Sequence, residues 1–288
     1  MLCGWLRIAT RYRGCNPASV AGSLRNNPGN LKTFIFMNLA KKAAARLLRS
    51  AGMLPLQKTE EDFPTPIAVS DDNPKAVAYL IGDPILSVPM SLIRYSDGRP
   101  YTYEQHHFLQ YYRNGLPTLR SFYAQYQPAN MFEFFFLDAP RPNVPEWGEC
   151  PWFRILKPKT NGGEAGLAGD AHGWQECGPV SEERVLSEAQ RLDRVLRSIR
   201  THGFRPEWGG HVRGYFMLRN DGRWVFTIRT GFHRTAALAH IGCERIDVRL
   251  QSGHPRFVEE RDAEEWPMVK DGIVTREEAL RMFCQFFI

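Results

Sequence analysis

Residues 224–250 read WVFTIRTGFHRTAALAHIGCERIDVRL. The first six residues alternate and are β-branched or aromatic on both phases, which predicts a strand. Thr230-Gly231 makes a turn, and Gly231 allows a tight one. The good helix formers of HRTAALAHIG, stopped at Gly242, predict one short helix. RIDVRL alternates again, as a second strand. The unit is strand–turn–helix–strand, with His233 and Arg234 in the first turn of the helix. A helix N-terminus carries roughly half a positive charge, so two potential cations are out of place there unless something compensates. A bound anion would do so, because the free backbone N–H groups, the dipole, the Arg fork and a His donor would converge on one phosphate-sized group. The competing reading pairs the Arg with a nearby carboxylate and leaves the His on the surface.

The rest of the chain sets the frame. Its 288 residues are 43% hydrophobic and 24% charged, ordinary values for a globular protein of one large domain or two small ones. Six cysteines lie far apart without a C-x-x-C, which argues against a zinc ribbon or a disulfide framework and for a reducing, cytoplasmic setting. No helical histidine pairing predicts a metal site; His106 and His107 are adjacent and would point apart on a helix. The net charge of +6 is misleading. Ten of the 37 Lys and Arg fall in residues 1–58, which have no Asp or Glu, leaving 27 basic against all 31 acidic residues beyond. The basic balance therefore belongs to an N-terminal extension, and it says little for nucleic-acid binding by the remainder.

Four regions follow. Residues 1–58 form the basic extension. Its first 36 residues lack any sustained period and read equally as a disordered tail, a targeting sequence or a segment upstream of a start at Met37. MNLAKKAAARLLRSAG (37–52) predicts a helix with one basic face, either packed on the protein or touching an anionic membrane surface. No run reaches the ~20 apolar residues of a membrane span. Residues 59–170 form a Pro- and aromatic-rich α+β region, with short strands around 77–95 and two short helices in TYEQHHFLQYYRNG and LPTLRSFYAQYQP. Tyr111, Tyr112, Phe122, Tyr123 and Tyr126 are either core or a base-stacking platform. Residues 138–170 read as a linker or extended loop. VSEERVLSEAQRLDRVLRSIRTHG (180–203) is the clearest helix, capped by Ser181, with Val185, Ala189, Leu192, Val195, Leu196 and Ile199 on one stripe. In residues 253–288, Thr275 and Glu278 form a capping box, and Leu280, Phe283 and Phe287 of that helix should dock on the body.

VLRSIRTHGFRPEWGGHVRGYFMLRNDGRWVFTIRTGFHRTAALAHIGCERIDVRL (195–250) resembles the ParB N-terminal domain and the sulfiredoxin-like superfamily. A helix ends in Ser198, Ile199, Arg200 and Gly203. GYFML follows as a strand, then D-G and a second strand, then G-x-H-R and a helix, then a strand with Leu238, Gly242, Ile246 and Val248 spaced as in that group. The likeness covers roughly a quarter of the chain. It implies a nucleotide-binding domain at 171–252 within an α/β (α+β) protein, with phosphates held by Gly231, His233, Arg234 and Thr235. It also implies a nucleoside di- or triphosphate and Mg²⁺ as cofactors, with no dedicated protein metal site.

Departures narrow the function. Phe232 stands where sulfiredoxins carry the reactive cysteine, which speaks against sulfinic acid repair. ParB turns read G-E-R-R, whereas this one has Phe232 and His233. Only 38 residues follow position 250, too few for a DNA-reading and dimer domain, which speaks against chromosome partition. A small-molecule kinase of this group needs a carboxylate base. Glu176, Glu182, Glu183 and Glu188 are candidates, and Glu188 is preferred; His233 is the second catalytic candidate. The loop HGWQECGPVS (172–181) would close the site or is simply a packed turn. The segments GPVS, EAQRL, WPMVKDG and REEALRMFCQFF resemble proteins of bacterial polysaccharide clusters, which implies a glycan-precursor acceptor. The leading expectation is a nucleotide-dependent phosphotransferase. The alternative is a non-catalytic, nucleotide-sensing or DNA-associated regulator, and a ligandless scaffold is the third reading.

Overall fold

The structure, a computed structural model, describes residues 65–69, 74–75, 82–147, 150–153 and 167–288. The chain divides into Met1–Phe63 and Pro64–Ile288. The expected basic extension with its 37–52 helix, part of the strand expected around 77–95, and residues 148–149 and 154–166 of the expected linker lie outside the described residues.

The elements run β1 (Ile67–Ala68), β2 (Leu86–Pro89), β3 (Ile93–Arg94), α1 (His107–Asn114), α2 (Leu116–Gln125), α3 (Met131–Phe134), α4 (Gly169–His172), α5 (Glu182–His202), α6 (Pro206–Gly209), β4 (Val212–Leu218), β5 (Trp224–Thr230), α7 (Phe232–His240), β6 (Arg245–Leu250), β7 (Phe257–Glu259), α8 (Pro267–Lys270) and α9 (Arg276–Cys284). The protein is mixed α/β, built on one mixed sheet. Its strand order is β1-β2-β6-β4-β5-β3, and β7 also pairs with β4. β4 is the spine. It runs antiparallel to β5, with Phe216 opposite Phe226. On its other side its first half is parallel to β6 and its second half to β7. Between Arg213 and Gly214 the register with β5 shifts. Gly214 suits that bulge, because a Cβ there would lie 2.0 Å from the Thr227 carbonyl oxygen.

β4 explains the layering. Its alternate residues are buried on both faces, as expected of a central strand. Phe216 and Leu218 join a cluster with α1, α2, α5 and α7. Tyr215 and Met217 join a second cluster with α3, residues 150–153, α8 and α9. Strands from the 59–170 region and from 212–259 thus share one sheet. The predicted linker residues Cys150, Trp152 and Phe153 are core, with the Trp152 indole N–H donating to the Tyr215 hydroxyl at 3.1 Å. That part of the linker reading is corrected, because proline density conceals an aromatic anchor.

The capped helices form as their sequences require. Ser181 accepts from the Arg184 N–H at the start of α5, and the predicted stripe faces the first cluster. Thr275 and Glu278 close a reciprocal capping box on α9. Phe283 is buried in the second cluster, with Leu280 and Phe287 packed against it. The expectation that His106 and His107 point apart is corrected. His106 is the N-cap of α1, with extended backbone, and its Nδ1 accepts from the Phe108 N–H. Both rings are buried and stack 5.0 Å apart at 5°. The helical angle between neighbours does not apply across a cap.

Candidate functional site

α7 begins at Gly231, whose φ of 101° is left-handed, and no side chain caps it. A Cβ at Gly231 would sit 3.0 Å from Val212 Cγ2 and 3.1 Å from Arg234 Nη2. The turn is therefore both left-handed and pressed against β4, which favours glycine. Thr235 closes the first helical turn, with its N–H 2.9 Å and its hydroxyl 3.1 Å from the Gly231 carbonyl oxygen. Its hydroxyl is thereby engaged within the helix.

His233 and Arg234 leave this turn in different directions. His233 is 4% exposed, and its Nε2 lies 2.5 Å from Glu188 Oε2 on α5. Phe108 stacks on the imidazole at 4.8 Å. Glu188 is fully buried, and its other oxygen lies 3.4 Å from Arg184 Nη1, one turn earlier on α5. Burial raises the Glu188 carboxyl, but the His233 contact and the nearby Arg191 and Arg184 bring it below the usual carboxylate range. Burial holds the imidazole of His233 below its ordinary pKa, against the pull of Glu188. The two directions agree on an ionised carboxylate and a neutral ring at neutral pH. Nε2 then carries the proton toward Glu188, and Nδ1 keeps the basic lone pair.

Arg234 folds back over Gly231, and its Nη1 donates to the carbonyl oxygens of Gly209, at 2.8 Å, and Gly210 at the end of α6. No carboxylate pairs with it among the described residues. Burial, and then the charge of Arg191, lower its pKa. His211 is nearby, its pKa lowered by burial and by the cations Arg249, Arg213 and Arg234. Arg213 and Arg249 themselves share Asp83, at 2.8 and 3.0 Å.

The two preferred catalytic residues, Glu188 and His233, therefore touch. The Gly231, Arg234 and Thr235 positions form one continuous turn beside them. The sequence did not show Arg191, His211 or the Gly209-Gly210 carbonyls as neighbours of that turn; WGGH, directly before a strand, was the available signal. Of the other three carboxylates, Glu182 and Glu183 stand elsewhere, and Glu176 lies within electrostatic reach of Glu188. Glu182 is an exposed partner of Arg120. Glu183 is exposed, 3.3 Å from His172 Nδ1. Glu176 is partly buried, and burial raises its pKa, with Glu188 adding to the rise and Arg229 opposing it.

The 172–181 loop lies on α2. The Tyr123 hydroxyl donates to the Gln175 carbonyl at 3.1 Å, and the Gly178 N–H to that of Tyr126 at 2.8 Å. It lines a cavity of about 430 Å³. His172 Nδ1 meets both Ser181 Oγ, at 3.0 Å, and Glu183. One nitrogen serves both contacts, so these three residues are not arranged as a nucleophile–base–carboxylate relay, which uses both ring nitrogens.

The chain matches no known family model and no curated protein. No group of three or more His, Cys, Asp and Glu among the described residues could hold a metal ion. No helix among them is long and apolar enough to cross a membrane. The aromatic residues of α1 and α2 have occupied faces: His107 stacks on Phe122 at 3.9 Å, and the Arg99 guanidinium lies 4.8 Å from the Phe122 ring and 5.4 Å from that of Tyr126. Asp97 neutralises Arg99 at 2.5 Å. Tyr111 and Tyr112 spend their hydroxyls on α5, at Asp193 and the Leu192 carbonyl.

Proposed function

We propose that the chain binds a nucleoside di- or triphosphate at the Gly231–Thr235 turn and transfers a phosphoryl group to the hydroxyl of a small molecule. The observation that carries this is Arg234. It is a partly buried cation with no carboxylate partner among the described residues, electrostatically strained by Arg191, beside helix amides that no side chain caps. An anion there would satisfy the amides and relieve the repulsion between the two cations. The likeness to ParB and sulfiredoxin-like domains gives the same turn the same task.

The nucleotide fits this donor set. Mg²⁺ is bound largely by phosphate oxygens and water, so it asks for no dedicated protein cage, and it would neutralise phosphate charge. The acceptor proton needs a base, and the Glu188–His233 pair supplies one. Glu188 fixes the ring with Nε2–H toward the carboxylate, leaving Nδ1 to take the proton. The acceptor oxygen forms its bond to phosphorus as the donor P–O bond breaks, and the shortened nucleotide leaves. A sugar acceptor accords with the likeness to polysaccharide-cluster proteins.

The test is nucleotide consumption with panels of monosaccharides and small hydroxy amino acids. The account expects acceptor-dependent turnover that falls about 10²–10⁴-fold in His233→Gln, with nucleotide affinity retained. Bound nucleotide with no turnover for any acceptor would instead favour the non-catalytic sensing reading. That reading has its own support in the near-complete burial of His233.

A further inference from the structure

At the β3 edge of the sheet lies a charge that no carboxylate among the described residues neutralises. Arg94 ends β3 and is 9% exposed. Its Nε donates to the Phe286 carbonyl at 2.8 Å, and its Nη1 to those of Ser91 and Ile93 at 2.7 and 3.0 Å. Among the described residues, Nη2 has no hydrogen-bond partner and no carboxylate reaches the guanidinium. Burial pulls the pKa of Arg94 down to about 10, with no acidic neighbour to pull it back. Neutral carbonyls satisfy N–H groups, but they leave the positive charge uncompensated where water is scarce.

Arg94 is also part of the wall of a cavity of about 370 Å³, whose other walls include Pro89, Leu92, Val225 and Phe287. Such a volume falls at the small end of ligand sites, which run from about 300 to 1,000 Å³. Arg223 is a second cation at the same cavity, and it is already paired with Asp221 at 2.9 Å. The walls are apolar, and one uncompensated charge is set among them. That combination matches a ligand with one negative end and an apolar body.

We propose that this cavity is a binding site for a small organic carboxylate, its anionic end on Arg94 Nη2 and its apolar body against Leu92, Val225 and Phe287. A carboxylate suits the site better than a phosphate, because only one amino group of Arg94 is unengaged and the surroundings are largely hydrocarbon. The site shares no residue with the Gly231–Thr235 turn, so it stands or falls independently of the phosphotransfer reading.

Calorimetric titration of the full chain tests it, with benzoate, phenylacetate and hexanoate as probes, and with benzamide and inorganic phosphate as controls. At least one carboxylate should bind with a Kd below about 1 mM and about tenfold more tightly than either control. Arg94→Gln should lose that preference. Because Arg94 also ties down the tail at Phe286, a second variant, Leu92→Trp, fills the cavity and leaves the guanidinium in place. It should weaken carboxylate binding about tenfold with an unchanged circular dichroism spectrum. Absence of carboxylate binding, equal binding of benzoate and benzamide, equal binding of phosphate, or unchanged affinity in a folded Leu92→Trp would each overturn the proposal.

Discussion

At the scale of the residue, the site turns on how three side chains settle their charges. Glu188 serves two partners at once, His233 and Arg184, in a fully buried position. Removing it takes a carboxylate away from a buried guanidinium and a buried imidazole. Glu188→Ala should therefore cost about 3–5 kcal/mol, read from denaturant unfolding; a cost under 1 kcal/mol would show the pair to be solvated in solution. Gly231→Ala imposes a side chain at a φ of 101° and against Val212, and should cost about 1–3 kcal/mol. The sequence made Gly231, His233 and Arg234 legible through the electrostatic misfit of cations at a helix start. It did not show how the misfit is resolved. His233 is neither on the surface nor pointed along the turn, because its partner is 45 residues away in the chain on α5. Such a contact leaves no local periodicity to read. Arg234 likewise finds carbonyls at the end of α6, a four-residue helix that sequence pattern does not announce.

At the scale of the element, local rules held where they were local. The α5 stripe, the Ser181 cap and the α9 capping box all follow from side chains within one or two turns. Thr275→Ala should accordingly cost about 1 kcal/mol in thermal or denaturant unfolding. The start of α1 escapes the local rule, because His106 belongs to the cap and His107 to the helix. The consequence is a stacked, buried imidazole pair facing Arg99 and His233, with both pKa values held well below the ordinary histidine value by burial and then by the Arg99 charge. Their folded pKa values are depressed, so the unfolded chain binds protons first as pH falls. The stability they permit is complete above the unfolded value of roughly 6.5 and is lost as pH drops below it. The melting temperature should fall between pH 7.5 and 5.5. His107→Phe, which keeps the stack on Phe122 and removes one titrating ring, should flatten that fall. An unchanged slope in the variant would remove His107 from the account.

At the scale of the molecule, the alternating burial of β4 couples the two halves of the core. Phe216 and Leu218 serve one cluster, Tyr215 and Met217 the other. Pro64–Ile288 should then unfold as one cooperative unit. Leu192→Ala in the first cluster and Phe283→Ala in the second should each lower the same transition, by about 2–5 and 3–5 kcal/mol. Separate transitions followed by tryptophan fluorescence and circular dichroism would contradict this. The α/β class was legible from strand and helix periods, whereas the sheet order was not. β6 sits beside β4 and not beside β5, the strand before it in the chain, and only long-range pairing decides that. The central claim is the anion site at the start of α7. Its most direct measurement is the melting temperature of the full chain with ATP, ADP, CTP and GTP, each with and without Mg²⁺. A ligand at 100 times its Kd should add about 2.7 kcal/mol. The account predicts a Mg²⁺-dependent rise with at least one nucleotide, lost in Arg234→Ala; a rise that survives Arg234→Ala, or none with any nucleotide, would contradict it.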